Sequence, residues 1–588
     1  MLYQTLVDIY EKLNATSKRL EKTSILSAFL KNLQDNDVEQ VILLLQGIVF
    51  PIWDERRLGI ADKLVIHAIN IATGKSPEFI EQKWKELGDI GDVSANCVQK
   101  KTQATLFSNE LTLSKVFTNM QQLVSFTGEG TVDKKTALVA ELLTNATSSQ
   151  AKYIARTALG DLRIGLGDGT LRDSIVWACF SQQIGLVYNQ AENDVKLDEE
   201  QRKKYNEYTN LVQSAYDKTT DFSLVLEKAR KGEEALKKIT ITPGLPLNVM
   251  LYQKAQNIAD AFATVGQPAS IEYKYDGFRL QIHKIKEKIL LFTRRLENVT
   301  SQFPDISKEA KLAINATNAI LEAEIVGYDI SSGKYLPFQN ISMRIQRKHD
   351  IESTAAKYPV HIILFDLLYL DGRDCTVLHY HDRTELLAGI CAQSKTFYLA
   401  QKIITSDEKE AAEFYNKSLL NGNEGVMMKN LSSPYQPGSR VGYGVKVKSV
   451  MDALDVVIVG AEWGEGKRSK WLSSFVIACK NKDEYPAIGR VGTGFKEKAE
   501  EGTAFAEMTE LLKPHIKPQE GREVQIKPAI VIEVHYEEIQ QSPSTAAGYA
   551  LRFPRFVRLR PDRRPEDAST LAEIQKLFTQ QRGRTKNI

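Results

Sequence analysis

The sequence has 588 residues, with 77 Lys and Arg against 74 Asp and Glu for a net charge of +3, and it is 43% hydrophobic and 26% charged. At about 100–200 residues per domain this divides into three or four units, and the composition excludes a wholly disordered, collagen-like or coiled-coil chain. Five scattered cysteines without a C-x-x-C pair argue against a disulfide framework and a four-cysteine zinc site, and the lack of a run of about 18 apolar residues predicts an intracellular chain with no membrane span, membrane partner or secretory signal.

In chain order, helices come first. Only Pro51 and Pro77 of the 18 prolines fall in the first 240 residues. There Leu6, Ile9, Tyr10 and Leu13 form one apolar stripe and Ile25, Leu26, Phe29 and Leu30 another, with Asp8, Glu11 and Lys12 on the wet side. Residues 1–235 are predicted as an all-α domain, closed by the Lys- and Glu-rich run Asp194–Lys238. After Thr242–Met250 the pattern turns to short β-like runs such as IEYKYDG, RLQIHKI, KILLFTRR, ILEAEIVGYD and VHIILFDLLYLDG, with helical runs such as Ser406–Leu420 between them. Residues 240–450 are predicted as a mixed α+β domain. From 451 to 588 the strands are short and evenly spaced (DVVIVGAEWG, SSFVIACKN, AIGRVGTGF, AIVIEVHY), which predicts a five-stranded β-barrel of the OB-fold type. There is no internal repeat.

Two features carry chemistry on their own residues. Arg552 to Arg564 holds six arginines and one aspartate, a local charge of +5 that leaves −2 for the rest of the chain, and such density suits a phosphate partner. A solvated arginine face accounts for it equally well in isolation. Lys274-Tyr275-Asp276-Gly277 ends an apolar strand. A lysine amine is a nucleophile only when unprotonated, a state favoured by burial and nearby cations, and Arg279, Arg294 and Arg295 are the predicted company. K-x-D-G alone recurs about once in 8,000 positions, so by itself it reads equally as a strand ending in a turn.

What raises it is the ordered series behind it: FTRRLEN (292–298), LEAEIVGYD (321–329), ILFDLLYLDG (363–372), EGVMMK (424–429), YGVKVK (443–448) and finally RLRPDRR. This series resembles the covalent nucleotidyltransferase superfamily, which contains polynucleotide ligases and mRNA capping enzymes. The N-terminal stretches VILLLQGIVFPIW, WKELGDIGDV and YIARTALGDLRIGLGDG, with SPYQPGSR and LRFPRFVRLRPDRRPEDAST, extend the resemblance over essentially the whole chain. It is nearest to archaeal-type ATP-dependent DNA ligases, of the replicative group shared with eukaryotes.

The resemblance implies a DNA-binding role for the helical domain, an adenylation (nucleotidyltransferase) domain, and roles for particular residues. Lys274 would carry AMP and Glu272 would contact the adenine. Arg279, Arg294, Glu324, Phe365, Arg440, Lys446 and Lys448 would complete the nucleotide pocket, Phe365 by stacking on the purine and the two lysines by holding phosphate oxygens. Glu324 and Glu424 would bind Mg²⁺, with Mn²⁺ as the alternative. Arg558, Arg560, Asp562 and Arg563 would orient departing pyrophosphate. The implied activity seals nicks in duplex DNA during replication, repair and recombination, without regard to base sequence, by a monomer in the cytoplasm or nucleoid. Gln103, Leu106 and Phe107 resemble the hook that replication proteins insert into a sliding clamp, though an ordinary loop reads the same. Gly444 stands where many relatives have Trp, Arg295 where many have Asn, and Glu322 where many have Asp. The rival readings are a capping enzyme, to which a helical domain of this size is foreign, an NAD-dependent ligase, which would carry a four-cysteine module, and a non-catalytic scaffold. ATP is the expected nucleotide, with ADP, GTP and NAD open.

Overall fold

Among the described residues, every regular element between Tyr3 and Lys237 is helical, as the proline distribution and 3.6-residue patterning predict. The first helix, Tyr3–Asn14, buries Tyr3, Leu6, Val7, Ile9, Tyr10 and Leu13 and leaves Asp8 and Lys12 in water. Its Tyr10 ring lies 4.8 Å from that of Tyr153 on the helix Ser148–Leu159. That second helix starts at a reciprocal cap, in which the Thr147 hydroxyl accepts from the Gln150 N–H and the Gln150 side chain accepts from the Thr147 N–H. One apolar cluster runs through all these helices from Tyr3 to Ile239. The chain in this computed structural model is described over residues 1–99, 110–331, 333–336, 338–345, 349–448, 453–464, 470–496, 502–517 and 523–580. The clamp-hook residues Gln103, Leu106 and Phe107 lie outside the described residues.

The middle of the chain folds as two sheets. Its strands are β1 (Leu251–Lys254), β2 (Ala269–Lys274), β3 (Phe278–Ile285), β4 (Lys288–Thr293), β5 (Asn318–Asp329), β6 (Lys334–Leu336), β7 (Val360–Leu370), β8 (Arg373–Asp374), β9 (Phe397–Leu399), β10 (Lys402–Thr405), β11 (Gly425–Asn430) and β12 (Arg440–Lys448). One sheet runs β1-β12-β11-β2-β10; the other runs β4-β3-β5-β7-β8, with β6 beside β5 and β9 beside β7. The chain passes from the first sheet to the second between β2 and β3, through Tyr275-Asp276-Gly277. Each sheet buries one face against helices: Ile271, Val426, Met428, Val445 and Val447 pack on the helix Ile258–Val265, and Leu280, Leu321, Ala323 and Leu364 on Pro304–Ala313. The opposite faces, where the charged residues of β2, β5, β11 and β12 alternate with the apolar ones, are left to line a cavity.

The C-terminal strands are β13 (Leu454–Trp463), β14 (Leu472–Ala478), β15 (Ala487–Val491), β16 (Glu523–Gln525), β17 (Val531–His535), β18 (Glu538–Gln541), β19 (Tyr549–Arg552) and β20 (Arg555–Leu559). Five of them follow the order β15-β14-β13-β17-β20; β16 adds a sixth beside β13, and β18-β19 form a separate hairpin. A single bridge from Thr493 to Arg555 ties the end of β15 to the start of β20. Their core, around Ile458, Phe475, Ile488 and Val534, contains none of the apolar residues of the clusters in the helical and middle regions. The architecture is therefore a helical N-terminal region followed by two β-rich regions. Among the described residues no helix is long and apolar enough to cross a membrane.

Candidate active site

A cavity of about 1420 Å³ opens where the three regions meet. Both middle sheets line it, Glu55, Arg56 and Arg57 reach it from the helical region, and Glu537, Arg552 and Phe553 reach it from the C-terminal region. Of the residues assigned to the nucleotide pocket, Glu272, Lys274, Arg279, Arg294, Glu324, Phe365, Arg440, Lys446 and Lys448 all line it, as does Glu424. Residues spread over nearly 180 positions of sequence thus share one space.

Two glycines make the crowding around Lys274 possible. A Cβ on Gly277 would fall 2.2 Å from the Ile325 carbonyl oxygen and 3.1 Å from Cγ of Glu324, so only glycine lets the β2–β3 turn press against β5. Gly425, at φ +146°, would place a Cβ 2.1 Å from the Val447 carbonyl oxygen. It holds Glu424 at the mouth of β11, where the Glu424 N–H donates to the Lys274 carbonyl at 2.8 Å. Lys274, Glu424 and the β12 lysines are thereby brought onto one wall.

The electrostatics of that wall differ from expectation. The arginine company predicted for Lys274 does not surround it; its direct partner is a carboxylate, with lysines beyond. Its Nζ lies 2.6 Å from Glu424 Oε2, and that oxygen also lies 2.7 Å from Lys448 Nζ. Burial by itself would lower the Lys274 pKa, but Glu424 and Glu324 outweigh it and raise the value above that of a free lysine. Glu424 mirrors this: burial opposes its charge, yet Lys274 and Lys448 hold its carboxyl well below the usual range. Glu324 is pushed up to about 7, chiefly by burial and further by Glu424, against the pull of Lys274 and Arg279. Lys446 is lowered by burial and by the cations Lys448 and Lys274.

Arg279 is not available as company for Lys274. Its guanidinium grips the fully buried Glu322 through both carboxylate oxygens and donates to the Met250 carbonyl at 2.7 Å and the Tyr435 hydroxyl at 3.1 Å. Arg294 and Arg295 lie in the turn after β4, on the cavity rim. A second cluster surrounds Glu272. Lys429 Nζ sits 2.7 Å from Glu272 Oε2, with both side chains buried, and 5.1 Å from the Phe365 ring and 4.6 Å from the Tyr380 ring. Glu272 and Lys274 alternate on β2, so the two clusters share one face of that strand.

Among the described residues no group of three or more His, Cys, Asp and Glu is arranged to hold a metal. The two carboxylates Glu324 and Glu424, both hard oxygen donors facing one amine, still match the way Mg²⁺ is held, through one or two carboxylates with substrate phosphates completing the shell.

Arg558, Arg560, Asp562 and Arg563 do not join the cavity. Arg560 donates to both oxygens of Asp455 at 2.8 and 2.9 Å and to Asp562 at 2.8 Å, Arg558 donates to Glu533 at 2.8 Å, and Arg563 lies 3.7 Å from Asp455. The C-terminal region instead turns Arg552 and Phe553 inwards, with Arg552 3.8 Å from Asp276. These two residues, with Lys429 and Tyr252, line the cavity without having been singled out in the sequence. Lys429 ends the EGVMMK run, but its partner becomes evident only once β11 lies beside β2. For Arg552 and Phe553 the arginine-rich run was the one available signal, and it does not say which of its residues faces inwards.

Three family models match the chain: "DNA ligase N terminus" over residues 2–176, "ATP dependent DNA ligase domain" over 249–448 and "ATP dependent DNA ligase C terminal region" over 468–563. The DNA ligase of Nanoarchaeum equitans is 43% identical over 589 residues, covering 99% of each chain. Those of Thermococcus fumicolans and Archaeoglobus fulgidus are 39% and 38% identical, with 98% of each chain covered. Among solved structures, one titled "Pmar-Lig_Pre" matches with a TM-score of 0.54 over 95% of this chain and 99% of its own, at 16% identity, a likeness of fold alone.

Proposed function

The chain belongs to the ATP-dependent DNA ligases, and from that premise we propose that Lys274 takes AMP from ATP in the first of three transfers that seal a 5′-phosphate/3′-hydroxyl nick. The observation that carries this reading is the place of Lys274. It stands at the end of β2 inside a cavity large enough for a nucleotide, two residues from Glu272 and against Glu424 and Lys448.

In the first transfer Lys274 must first give up the proton that its carboxylate neighbours hold on it, and Glu424, 2.6 Å from Nζ, is placed to take it. Nζ then attacks the α-phosphorus of ATP, an N–P bond forms, and the bond from that phosphorus to the bridging oxygen breaks to release pyrophosphate. Next the N–P bond breaks as the 5′-phosphate at the nick takes the AMP. In the last transfer the 3′-hydroxyl oxygen, losing its proton to solvent, attacks that activated phosphorus, and the P–O bond to AMP breaks as the phosphodiester forms. Such transfers rely on positioning and charge neutralisation. Glu272, fixed by Lys429, and Phe365 would seat the adenine. Arg279 serves by holding the wall through Glu322, while Arg294, Arg440, Lys446 and Lys448 would hold phosphate oxygens. Mg²⁺, or Mn²⁺, held by Glu324 and Glu424 would neutralise charge on the carboxylates and on the triphosphate.

We read the chain as three units at 1–235, 240–450 and 451–588, the last an OB-fold. The separate apolar cores support this division. Arg558, Arg560, Asp562 and Arg563 would meet pyrophosphate only after the last unit swings, because Arg552 and Phe553 occupy that face in the present arrangement. DNA would be held through phosphates and sugars by a monomer, so affinity should fall steeply with salt and vary little with base sequence. Binding of Gln103, Leu106 and Phe107 to a sliding clamp is proposed on sequence alone; replacing Leu106 and Phe107 by Ala tests it, and unchanged clamp binding would end it. Incubation with α-labelled ATP tests the main reading. A labelled band that disappears in Lys274→Ala is expected, and a label that persists in that variant refutes it. A nicked-duplex assay then reads sealing, and a nucleotide panel reads whether ADP, GTP or NAD is accepted.

A further inference from the structure

Tyr252 and Gly444 stand on neighbouring strands and compete for one space. β1 and β12 run parallel, with Tyr252 opposite Val441 but Gln253 opposite Val445. Residues 442–444 of β12 therefore face a single junction of β1, and the strand bulges there. A Cβ on Gly444 would fall 2.3 Å from Cε1 and 2.5 Å from Cδ1 of the Tyr252 ring, far inside contact distance. The ring thus fills the volume that any side chain at 444 would need, on the strand that carries Lys446 and Lys448.

The same ring lines the cavity. Its centroid lies 6.0 Å from Lys429 Nζ, the ammonium that pairs with Glu272 and flanks Phe365. Burial raises the phenol well above its ordinary pKa, so the ring itself stays neutral beside the Lys429–Glu272 pair. Nothing at position 444 can contribute an aromatic surface here, whereas β1 does.

We propose that Tyr252 is a positioning residue for the nucleotide: its ring, supplied by β1 in the space left by Gly444, walls the Glu272–Phe365 end of the cavity and sets how tightly ATP is held. This rests on the reading that the Lys274 cavity takes ATP. A residue serving only to pack against Ile241, Leu247 and Met250 would affect stability and not nucleotide affinity.

The test follows Lys274 adduct formation in single turnover against ATP concentration, using the full chain. Tyr252→Ala should raise the half-saturating ATP about tenfold, the scale of one lost aromatic contact, with the maximal rate kept. Tyr252→Phe should behave as the parent chain. Gly444→Trp alone should bind ATP poorly or fail to fold, while Tyr252→Ala with Gly444→Trp should recover affinity, the new indole taking the vacated volume. A normal half-saturation in Tyr252→Ala, or a double variant that folds but binds no better than Tyr252→Ala, would overturn the proposal. So would a Gly444→Trp chain that matches the parent. If Tyr252→Ala does not fold, the double variant decides alone. If the parent chain itself forms no Lys274 adduct, the ATP reading fails first and this proposal with it.

Discussion

The ammonium of Lys274 sits 2.6 Å from the carboxylate of Glu424, and that carboxylate is shared with Lys448. The nucleophile is therefore held in a cluster whose charges nearly cancel, rather than among cations. Removing Glu424 would take away the carboxylate shared by Lys274 and Lys448, leaving Lys448 with Glu537 at 3.4 Å and Lys274 with the more distant pull of Glu324, and so a more positive wall beside the phosphate site. Glu424→Ala should bind ATP more tightly, yet form the lysyl adduct at least about 100-fold more slowly, the scale of losing one preorganised charged group. Equilibrium binding and single-turnover rates separate the two effects; an unchanged rate would show that Glu424 only balances charge.

Glu322 is wholly buried, with Arg279 bonded to both its oxygens and the Tyr435 hydroxyl donating to Oε1 at 2.9 Å. Breaking a buried pair from one side strands the other charge, at a cost of about 3–5 kcal/mol. Glu322→Ala should lower stability by that amount, read from the urea midpoint, and should weaken ATP binding because Arg279 forms part of the cavity wall. Glu322→Asp keeps the charge but reaches one methylene less far, and its loss should be smaller. Equal stability in Glu322→Ala would mean that Arg279 finds another partner.

His283 gives the fold an acid-labile point. It is fully buried on β3, its Nδ1 accepts the Gly244 N–H at 3.0 Å, and desolvation lowers its pKa to about 3. An unfolded histidine takes up a proton near pH 6.5, which the folded one refuses. Stability is therefore full above pH 6.5 and falls as pH drops towards 3, by up to about 1.4 kcal/mol per pH unit. His283→Asn, which can still accept from Gly244, should flatten that decline. Hydrogen exchange of β3 and β4 between pH 7 and 5 reads it, and parallel declines in both chains would contradict the assignment.

Arg558 is largely exposed and bonded only within its own region, to Glu533, and Arg563 points towards Asp455. Neither lines the cavity while Arg552 and Phe553 do. If these faces alternate, Arg558→Ala and Arg563→Ala should slow adduct formation by roughly 10–100-fold, the scale of lost phosphate contacts. Sealing of a nick that already carries AMP should be spared. Equal slowing of both reactions would argue against two placements of the C-terminal region.

The sequence by itself determined the helical and β-rich regions and most, though not all, of the residues that line the cavity around Lys274. Proline spacing, 3.6-residue stripes and strand alternation are local consequences of backbone and side-chain chemistry, and the ordered motifs name their residues whatever the packing. Tertiary structure decided what those residues touch. That Lys274 faces Glu424, that Lys429 holds Glu272, that Arg279 belongs to Glu322 and that Tyr252 takes the room above Gly444 all depend on which strands lie side by side. Those pairings join positions from about 40 to nearly 200 residues apart, and the partner's charge, not the lysine's own neighbours in the chain, sets its protonation. The placement of Arg558, Arg560 and Arg563 away from the cavity is of the same kind, since a run of arginines reports charge density but not the face on which the fold will present it.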